Sequence, residues 1–307
     1  MKTVRDFDVK NKRVLVRCDF NIPLDDKGNI LDDYRIQKTI PTIEYLIKKG
    51  AKVILMSHLG KPDGRLVENL RLTPVQNKLM EYLDLSITKA PDCISSDLQN
   101  WTREMQAGEV LLLENLRFYK EEEKNDENFA RELAKLGDIY INDAFGACHR
   151  AHASIVGIPK YLPSAAGLLL EKEIEVLSGV FKKPKRPLVS IIGGVKIESK
   201  AKTIKSLLEI SDHLLIGGEI ANTILNIKGI CLGRSLPEER TIERVGKINL
   251  TSSKLHLPVD GRIGLIDLKE SYLRVGAVGT LKKEEKIFFF IFVINNTRNI
   301  ININTFF

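Results

Sequence analysis

The sequence predicts an α/β protein of two doubly wound parallel-sheet domains joined by a helix. Three observations predict it. Apolar runs of strand length are continuous rather than alternating, as in strands covered on both faces. Amphipathic helical segments separate those runs, which gives the β–α alternation of a parallel sheet. The alternation then starts again after a basic, proline-containing stretch at residues 182–187. A chain of 307 residues is long enough to bury two cores of ordinary size.

Residues 13–18 (Arg-Val-Leu-Val-Arg-Cys) read as the first strand, and residues 33–50 as a helix closed by Gly50. Residues 52–56 read as the second strand. Residues 73–84 read as a helix opened by a cap-like Thr73, with Pro74 at the first helical position. A buried strand at 110–113, a helix at 125–137 and a strand at 139–141 follow. A helical stretch at 167–181 leads into the basic segment, and beyond it come a strand at 188–192, a helix at 198–209 and a strand at 213–216. The chain therefore divides into a first domain at 1–166, a connecting helix at 167–182, a second domain at 183–286 and a terminal segment at 287–307. That last segment holds six Phe, six Ile and five Asn, with Arg298 as its one charge. Two readings of it stay open: a buried strand followed by polar tail, or a stretch foreign to the rest, since A/T-rich DNA read out of frame encodes these residue types.

Composition narrows the function classes. An apolar share of 43% with 28% charged residues is that of a globular protein and argues against disorder. A formal net charge of +7 favours anionic partners. Lys and Arg are spread along the chain with acidic residues beside them, rather than gathered on one element with interleaved aromatics, so nucleic acid is not expected as a partner. Cys18, Cys93, Cys148 and Cys231 are scattered without ligand spacing, which predicts no protein-held metal and suits a reduced cytoplasmic setting. No uncharged apolar stretch approaches the ~20 residues of a membrane span, so no membrane association is expected.

The loops after the strands of the first half share a chemical theme. Asp19, Phe20 and Asn21 follow the first strand, with Arg35 soon after; Ser57 to Pro62, including His58 and Lys61, follow the second. Glu114 to Arg117 follow the third, and Asn142 to Phe145, then His149 to His152 with Arg150, follow the fourth. In a parallel sheet these loops gather at one rim, where ligands bind. Five cationic or imidazole side chains at one rim repel one another unless an anion is meant to sit among them. Arg suits carboxylate and phosphate because its planar fork bonds two oxygens at once.

The second half has another signature. The strand ending at Ile192 runs into Gly193 and Gly194, then a helix with Lys196 and Lys200 four apart on one face. A similar strand end carries Gly217 and Gly218. Glycines admit close approach of a ligand to the backbone, and lysines supply charge for phosphates. Neither the GxxxxGK[ST] loop nor a GxGxxG fingerprint is present, which disfavours a dinucleotide enzyme.

Together, Arg17-Cys18-Asp19-Phe20-Asn21-Ile22-Pro23, Ser57-His58-Leu59-Gly60-Lys61-Pro62, Leu113-Glu114-Asn115-Leu116-Arg117-Phe118 and Ala147-Cys148-His149-Arg150-Ala151-His152-Ala153-Ser154 closely resemble motifs of the phosphoglycerate kinase family, in the same order. The resemblance implies reversible phosphoryl transfer between 1,3-bisphosphoglycerate and ADP in glycolysis, giving 3-phosphoglycerate and ATP, with Mg2+ accompanying the nucleotide. It implies that Asp19 and Asn21 meet the glycerate, that His58, Lys61, Arg117 and Arg150 hold the 3-phosphate, and that Arg35 reaches the transferring group. It further implies Lys196 on the phosphoryl in flight, Lys200 on the nucleotide phosphates, and Gly193, Gly194, Gly217 and Gly218 lining the adenine pocket. Arg35 and Lys196 are thus the catalytic pair, in a cytoplasmic protein expected to be a monomer. Lys61 stands where many members carry Arg, and Glu219 takes the third place of what is usually a glycine triplet. The resemblance fades near Lys286, and the family's later Asn-Gly-Pro and Gly-Gly-Gly-Asp-Thr segments, whose Asp serves Mg2+, do not occur. The expectation is a partial second domain with weak or no turnover; the alternative is a 3-phosphoglycerate-binding remnant.

Overall fold

The computed structural model describes residues 1–195, 197–230, 239–246, 248–265, 274–277, 280, 285–296 and 299–305. It forms two compact units, Met1–Ser178 and Gly179–Phe307.

Unit 1 is built on a parallel sheet of β1 (Arg13–Arg17), β2 (Lys52–Met56), β3 (Thr88–Lys89), β4 (Val110–Leu112), β5 (Ile139–Asn142) and β6 (Ser164–Ala166), in the spatial order β3-β4-β2-β1-β5-β6. Its helices are α1 (Tyr34–Lys48), α2 (Thr73–Leu83), α3 (Ser96–Glu104), α4 (Lys120–Glu123) and α5 (Glu127–Ala134). Alternate strand residues face opposite sides. Val14, Val16, Val53, Leu55, Val110 and Leu112 share one core with Ile36, Ile43 and Leu46 of α1 and Val75 and Leu79 of α2. Leu15, Ile54, Leu111 and Tyr140 share the other with Leu98 of α3 and Phe129 and Leu133 of α5. Helices on both faces explain why the strands read as apolar runs: the interior positions of β1, β2, β4 and β5 are buried, at roughly 1.5–3 kcal/mol for each large side chain.

Local chemistry sets the ends. α1 stops where Gly50 turns left-handed (φ 72°), its amide and that of Ala51 donating back to the Ile47 and Leu46 carbonyls at 2.9 and 3.0 Å. Thr73 does not cap α2 as its position suggested; it lies inside the helix, and the amide of the cap residue Leu72 is taken by Glu114 Oε1 at 2.9 Å. A carboxylate from the end of β4 thus does what no neighbour in sequence does. In unit 1, β3, β6, α3 and α4 lie where no element was expected. β3 and β6 are too short to show a period, and α3 is mostly polar, held by Ser95 Oγ accepting from the Leu98 amide at 3.0 Å. The helix expected at 125–137 is trimmed to α5 by Asp126, whose Oδ1 accepts from the Phe129 amide at 2.9 Å.

α6 (Leu168–Lys182) spans the division between the units. Unit 2 carries β7 (Val189–Ile192), β8 (His213–Ile216) and β9 (Leu255–His256), parallel and in that spatial order, with α7 (Ala201–Ile210), α8 (Gly218–Ile227) and α9 (Glu239–Gly246). Ile192, Leu214, Ile216, Ile204, Ile220 and Ile224 form its core. The remaining strands, β10 (Asp260–Leu265), β11 (Arg274–Ala277), β12 (Glu285–Asn296) and β13 (Asn299–Thr305), make an antiparallel sheet ordered β11-β10-β12-β13. Of the two readings of the terminal segment, the one with a polar tail does not describe residues 299–305, which are strand, in keeping with Ile and Asn alternating over 301–304.

The start of α6 rests on a buried carboxylate. Asp143 Oδ1, just past β5, accepts from the Leu169 and Leu170 amides at 2.9 and 3.1 Å. A Cβ on Gly167 would lie 2.2 Å from the same oxygen, so only glycine fits there. Burial outweighs these bonds and lifts Asp143 to about 6. A raised carboxyl keeps its proton in the folded chain after the unfolded chain has lost it. Its stabilising contribution is present at low pH and lost as pH rises through about 6. Measured against Asp143→Asn, the parent should lose about 2 kcal/mol between about pH 4.5 and about pH 7.5. Urea unfolding of both proteins at the two pH values checks this, and parallel pH dependence would contradict it.

Candidate functional site

Four neighbouring strands of unit 1 end in line. Arg17 at the end of β1 sits opposite Met56 of β2 and Asn142 of β5, and Leu55 sits opposite Leu112 of β4. The loops that follow open at one rim, and Asn115 joins two of them. Fully buried, it accepts from the Leu59 and Arg117 amides at 3.2 and 3.1 Å and donates to the Leu59 and Leu70 carbonyls at 2.8 and 2.9 Å. Asn21 Oδ1 accepts from the Gly60 amide at 2.8 Å, and Arg117 donates to the Gly60 carbonyl at 2.8 Å. Gly60 is itself left-handed (φ 63°), with Leu70 too close for a side chain. The His58 loop is therefore fastened to the loops carrying Asn21 and Arg117.

His58, Arg117 and Arg150 come within electrostatic reach of one another, together with Arg17 and His152. His58 is 6% exposed, and its Nδ1 lies 3.0 Å from the Arg17 guanidinium. Burial first, then Arg17, Arg117, Arg150 and His152, drives its pKa down to about 2. The ring is neutral at ordinary pH. A guanidinium only donates, so Nδ1 accepts and the ring hydrogen sits on Nε2. Arg117, 3% exposed, is pushed below its ordinary value by burial and by its cationic neighbours Arg150 and Arg17, with Glu123 acting the other way. Its buried Nε lies 3.2 Å from Glu123 Oε1 yet out of line for a hydrogen bond. A buried donor left so costs about 1–3 kcal/mol. Arg150 Nε donates to His149 Nε2 at 3.2 Å.

Arg35, half exposed on α1, pairs with Asp19 Oδ2 at 2.8 Å. Asp19 borders the His149–Arg150 loop, since a Cβ on Gly146 would lie 2.7 Å from the same oxygen. Lys61 follows the fastened Gly60 and is exposed. Sequence reasoning left three parts of this site unassigned. Arg17 falls in the predicted first strand, Ser154 only in a quoted motif, and Glu122 in no predicted element; all three are fully buried, and Ser154 bonds both others. The signal for Arg17 was in view: a charge at the carboxyl end of a strand, directly after Val14, Leu15 and Val16.

In unit 2 the two glycine turns meet. The Gly217 amide donates to the Ile192 carbonyl at 2.9 Å and the Ile220 amide to the Gly194 carbonyl at 3.1 Å. Gly194 (φ 144°) and Gly218 (φ 64°) both need backbone that side chains disfavour, and a Cβ on Gly218 would lie 3.0 Å from Gly194 N. Gly193, Gly194, Gly217 and Gly218 are thus one neighbourhood. Lys200 is exposed at the start of α7, and Lys196 lies outside the described residues. Among the described residues no three metal-ligating His, Cys, Asp or Glu side chains come together, and no helix is long and apolar enough to cross a membrane.

Comparison with known proteins identifies a family. The family model described as phosphoglycerate kinase matches residues 4–288. The chain is 53% identical over 237 residues to a phosphoglycerate kinase of Moorella thermoacetica, covering 77% of this chain and 60% of that protein. It is 51% identical over 265 residues to one of Borrelia garinii subsp. bavariensis, covering 85% of this chain and 67% of that protein. Its fold is similar to the crystal structure of phosphoglycerate kinase from Pyrococcus horikoshii, with TM-score 0.81 and 30% identity over 94% of this chain and 75% of that one. The chain belongs to the phosphoglycerate kinase family and spans about three fifths to two thirds of the length of these two curated relatives.

The neutral His58 sets a stability profile opposite in sign to that of Asp143. The unfolded chain takes up a proton near the ordinary histidine value while the folded chain refuses it down to about 2, so stability falls as pH drops below about 6.5. His58→Gln, whose amide oxygen can still accept from Arg17, should lose about 2–3 kcal/mol less than the parent on acidification from about pH 7.5 to about pH 4.5. Urea midpoints at the two pH values test it, and equal acid losses would mean that His58 protonates normally.

Proposed function

We propose that unit 1 binds 3-phosphoglycerate and 1,3-bisphosphoglycerate at its cationic rim, and that the chain serves reversible transfer of the acyl phosphate to ADP, yielding ATP. The observation that carries this reading is buried His58, its Nδ1 3.0 Å from the Arg17 guanidinium and the ring within electrostatic reach of Arg117 and Arg150, which leaves Nε2 to carry the hydrogen. A neutral donor beside fixed guanidinium groups hydrogen-bonds a phosphate oxygen without adding another buried charge. The rim charges supply the attraction, and the fastened loops supply the geometry.

In this reading the 3-phosphate sits on His58, Arg117 and Arg150, with Lys61 at its edge. Asp19, which only accepts, suits the glycerate hydroxyl, and Asn21, able to do both, suits the carboxyl end. Arg35 is held by Asp19 at the rim and is assigned to the transferring group; Lys196 is assigned to the phosphoryl in flight on the family resemblance alone. Gly193, Gly194, Gly217 and Gly218 would lie against the adenine, with Lys200 on the phosphates. Phosphoryl transfer asks for positioning and charge neutralisation more than covalent help, which is what Arg and Lys groups offer. Mg2+ would come with the nucleotide; the described residues show no cluster fit to hold it, and no step is assigned to it. The same reading carries a cytoplasmic, monomeric chain.

Calorimetry with 3-phosphoglycerate tests the binding half. Arg117→Ala and Arg150→Ala should each weaken binding by about 30-fold or more, the loss of a charge-assisted contact of about 2 kcal/mol. A coupled assay with Mg-ADP and 1,3-bisphosphoglycerate tests the transfer half. Binding without turnover would leave a 3-phosphoglycerate-binding protein, and no binding by the parent would overturn the reading.

A further inference from the structure

We infer that Glu122, acting through Ser154 and Arg17, is a positioning residue that fixes which ring nitrogen His58 turns to the rim. Its consequence for substrate rests on the function proposed above; the ring geometry does not.

The chain of contacts runs one way. Glu122, fully buried at the carboxyl half of α4, places both oxygens on Ser154: Oε2 accepts from the amide at 2.9 Å and Oε1 from the hydroxyl at 2.5 Å. With its hydrogen committed to Glu122, the Ser154 hydroxyl turns lone pairs toward Arg17 and accepts from Nε at 2.8 Å. Arg17 also donates to the Cys18 carbonyl, and its other terminal nitrogen lies 3.0 Å from His58 Nδ1. Each member therefore has one assigned direction: His58 accepts from Arg17, Arg17 donates to Ser154, and Ser154 donates to Glu122. The remaining ring nitrogen, Nε2, carries the hydrogen that a phosphate oxygen needs.

Charge calls for the same chain. A guanidinium with no exposed surface requires a nearby anion, because removing one partner of a buried ion pair costs several kcal/mol. Glu122 is that anion, one hydroxyl away from Arg17. His152 Nδ1, at 3.8 Å from Glu122 Oε1, is too far for a hydrogen bond, so it does not take Ser154's place. Glu122 and Arg117 lie five residues apart, on the short stretch that follows β4. One segment thus delivers a phosphate ligand and the carboxylate that orients another.

If Glu122 merely anchored the turn at residues 153–157, its loss would lower stability and leave the His58 ring as it is. Nitrogen-15 NMR of the full chain separates the two, because it reports which ring nitrogen bears hydrogen. The parent should show hydrogen on Nε2 and a bare Nδ1 across neutral and mildly acid pH. Glu122→Gln should bring in the Nδ1–H form and weaken 3-phosphoglycerate binding about tenfold. Ser154→Ala, which removes a single buried oxygen, should do the same and serves if the glutamine variant does not fold. A ring fixed in the Nε2–H form in folded Ser154→Ala overturns the inference. Failure of the parent to bind 3-phosphoglycerate would overturn the proposed function alone, since the tautomer measurement needs no substrate.

Discussion

Parallel pairing of four strands is the constraint from which the site follows. When β4, β2, β1 and β5 all run the same way, each crossover must return the chain to the opposite edge, and every loop leaving a strand opens on the same side. That geometry puts Arg17, His58, Arg117 and Arg150 in one place although as many as 133 positions separate them (150 − 17). It also concentrates like charge where the sheet offers little water. The fold answers with carboxylates of graded depth: Glu122 fully buried, Glu123 beside Arg117, and Asp19 under Arg35.

Glu114 and Asn115 show how the rim is kept stiff. Glu114 is 2% exposed, yet it gathers Lys89 at 2.8 Å, Arg71 at 3.0 Å and the amides of Leu72 and Asn115. Those bonds hold its carboxyl below the usual range against the burial that would raise it. With every oxygen engaged, the residue behaves as a fixed bracket between β4, β3 and the start of α2. Asn115, its neighbour, does the same for the loops after β2 and β4. Such saturated polar groups are costly only when a partner is missing.

Much of this was legible in the residues themselves. Four of the six strands of unit 1, β1, β2, β4 and β5, are legible to within a residue of their ends because burial on both faces makes their interiors apolar. α1 was legible because Gly50 marks its stop. The rim cations were legible as Arg, His and Lys after successive strands, and His58, Arg117 and Arg150 do share a neighbourhood. What stayed hidden depends on distant partners. Glu114 replaces a local cap on α2, β3 and β6 are defined by their neighbours rather than by a period, Glu122 falls in no predicted element, and Ser154 appears only inside a motif. No local pattern states that a carboxylate on a short acidic helix is buried against a hydroxyl 32 positions later.

The contact between the Gly194 and Gly218 backbones bears on how unit 2 can change over time. Because a methyl group on Gly218 would press on main-chain atoms of Gly194, position 218 cannot drift alone. Substitution at 218 demands that the peptide around 194 shift first, so the pair is expected to covary among homologues. A library meant to retune this turn will yield folded members mainly where both loops are diversified in concert.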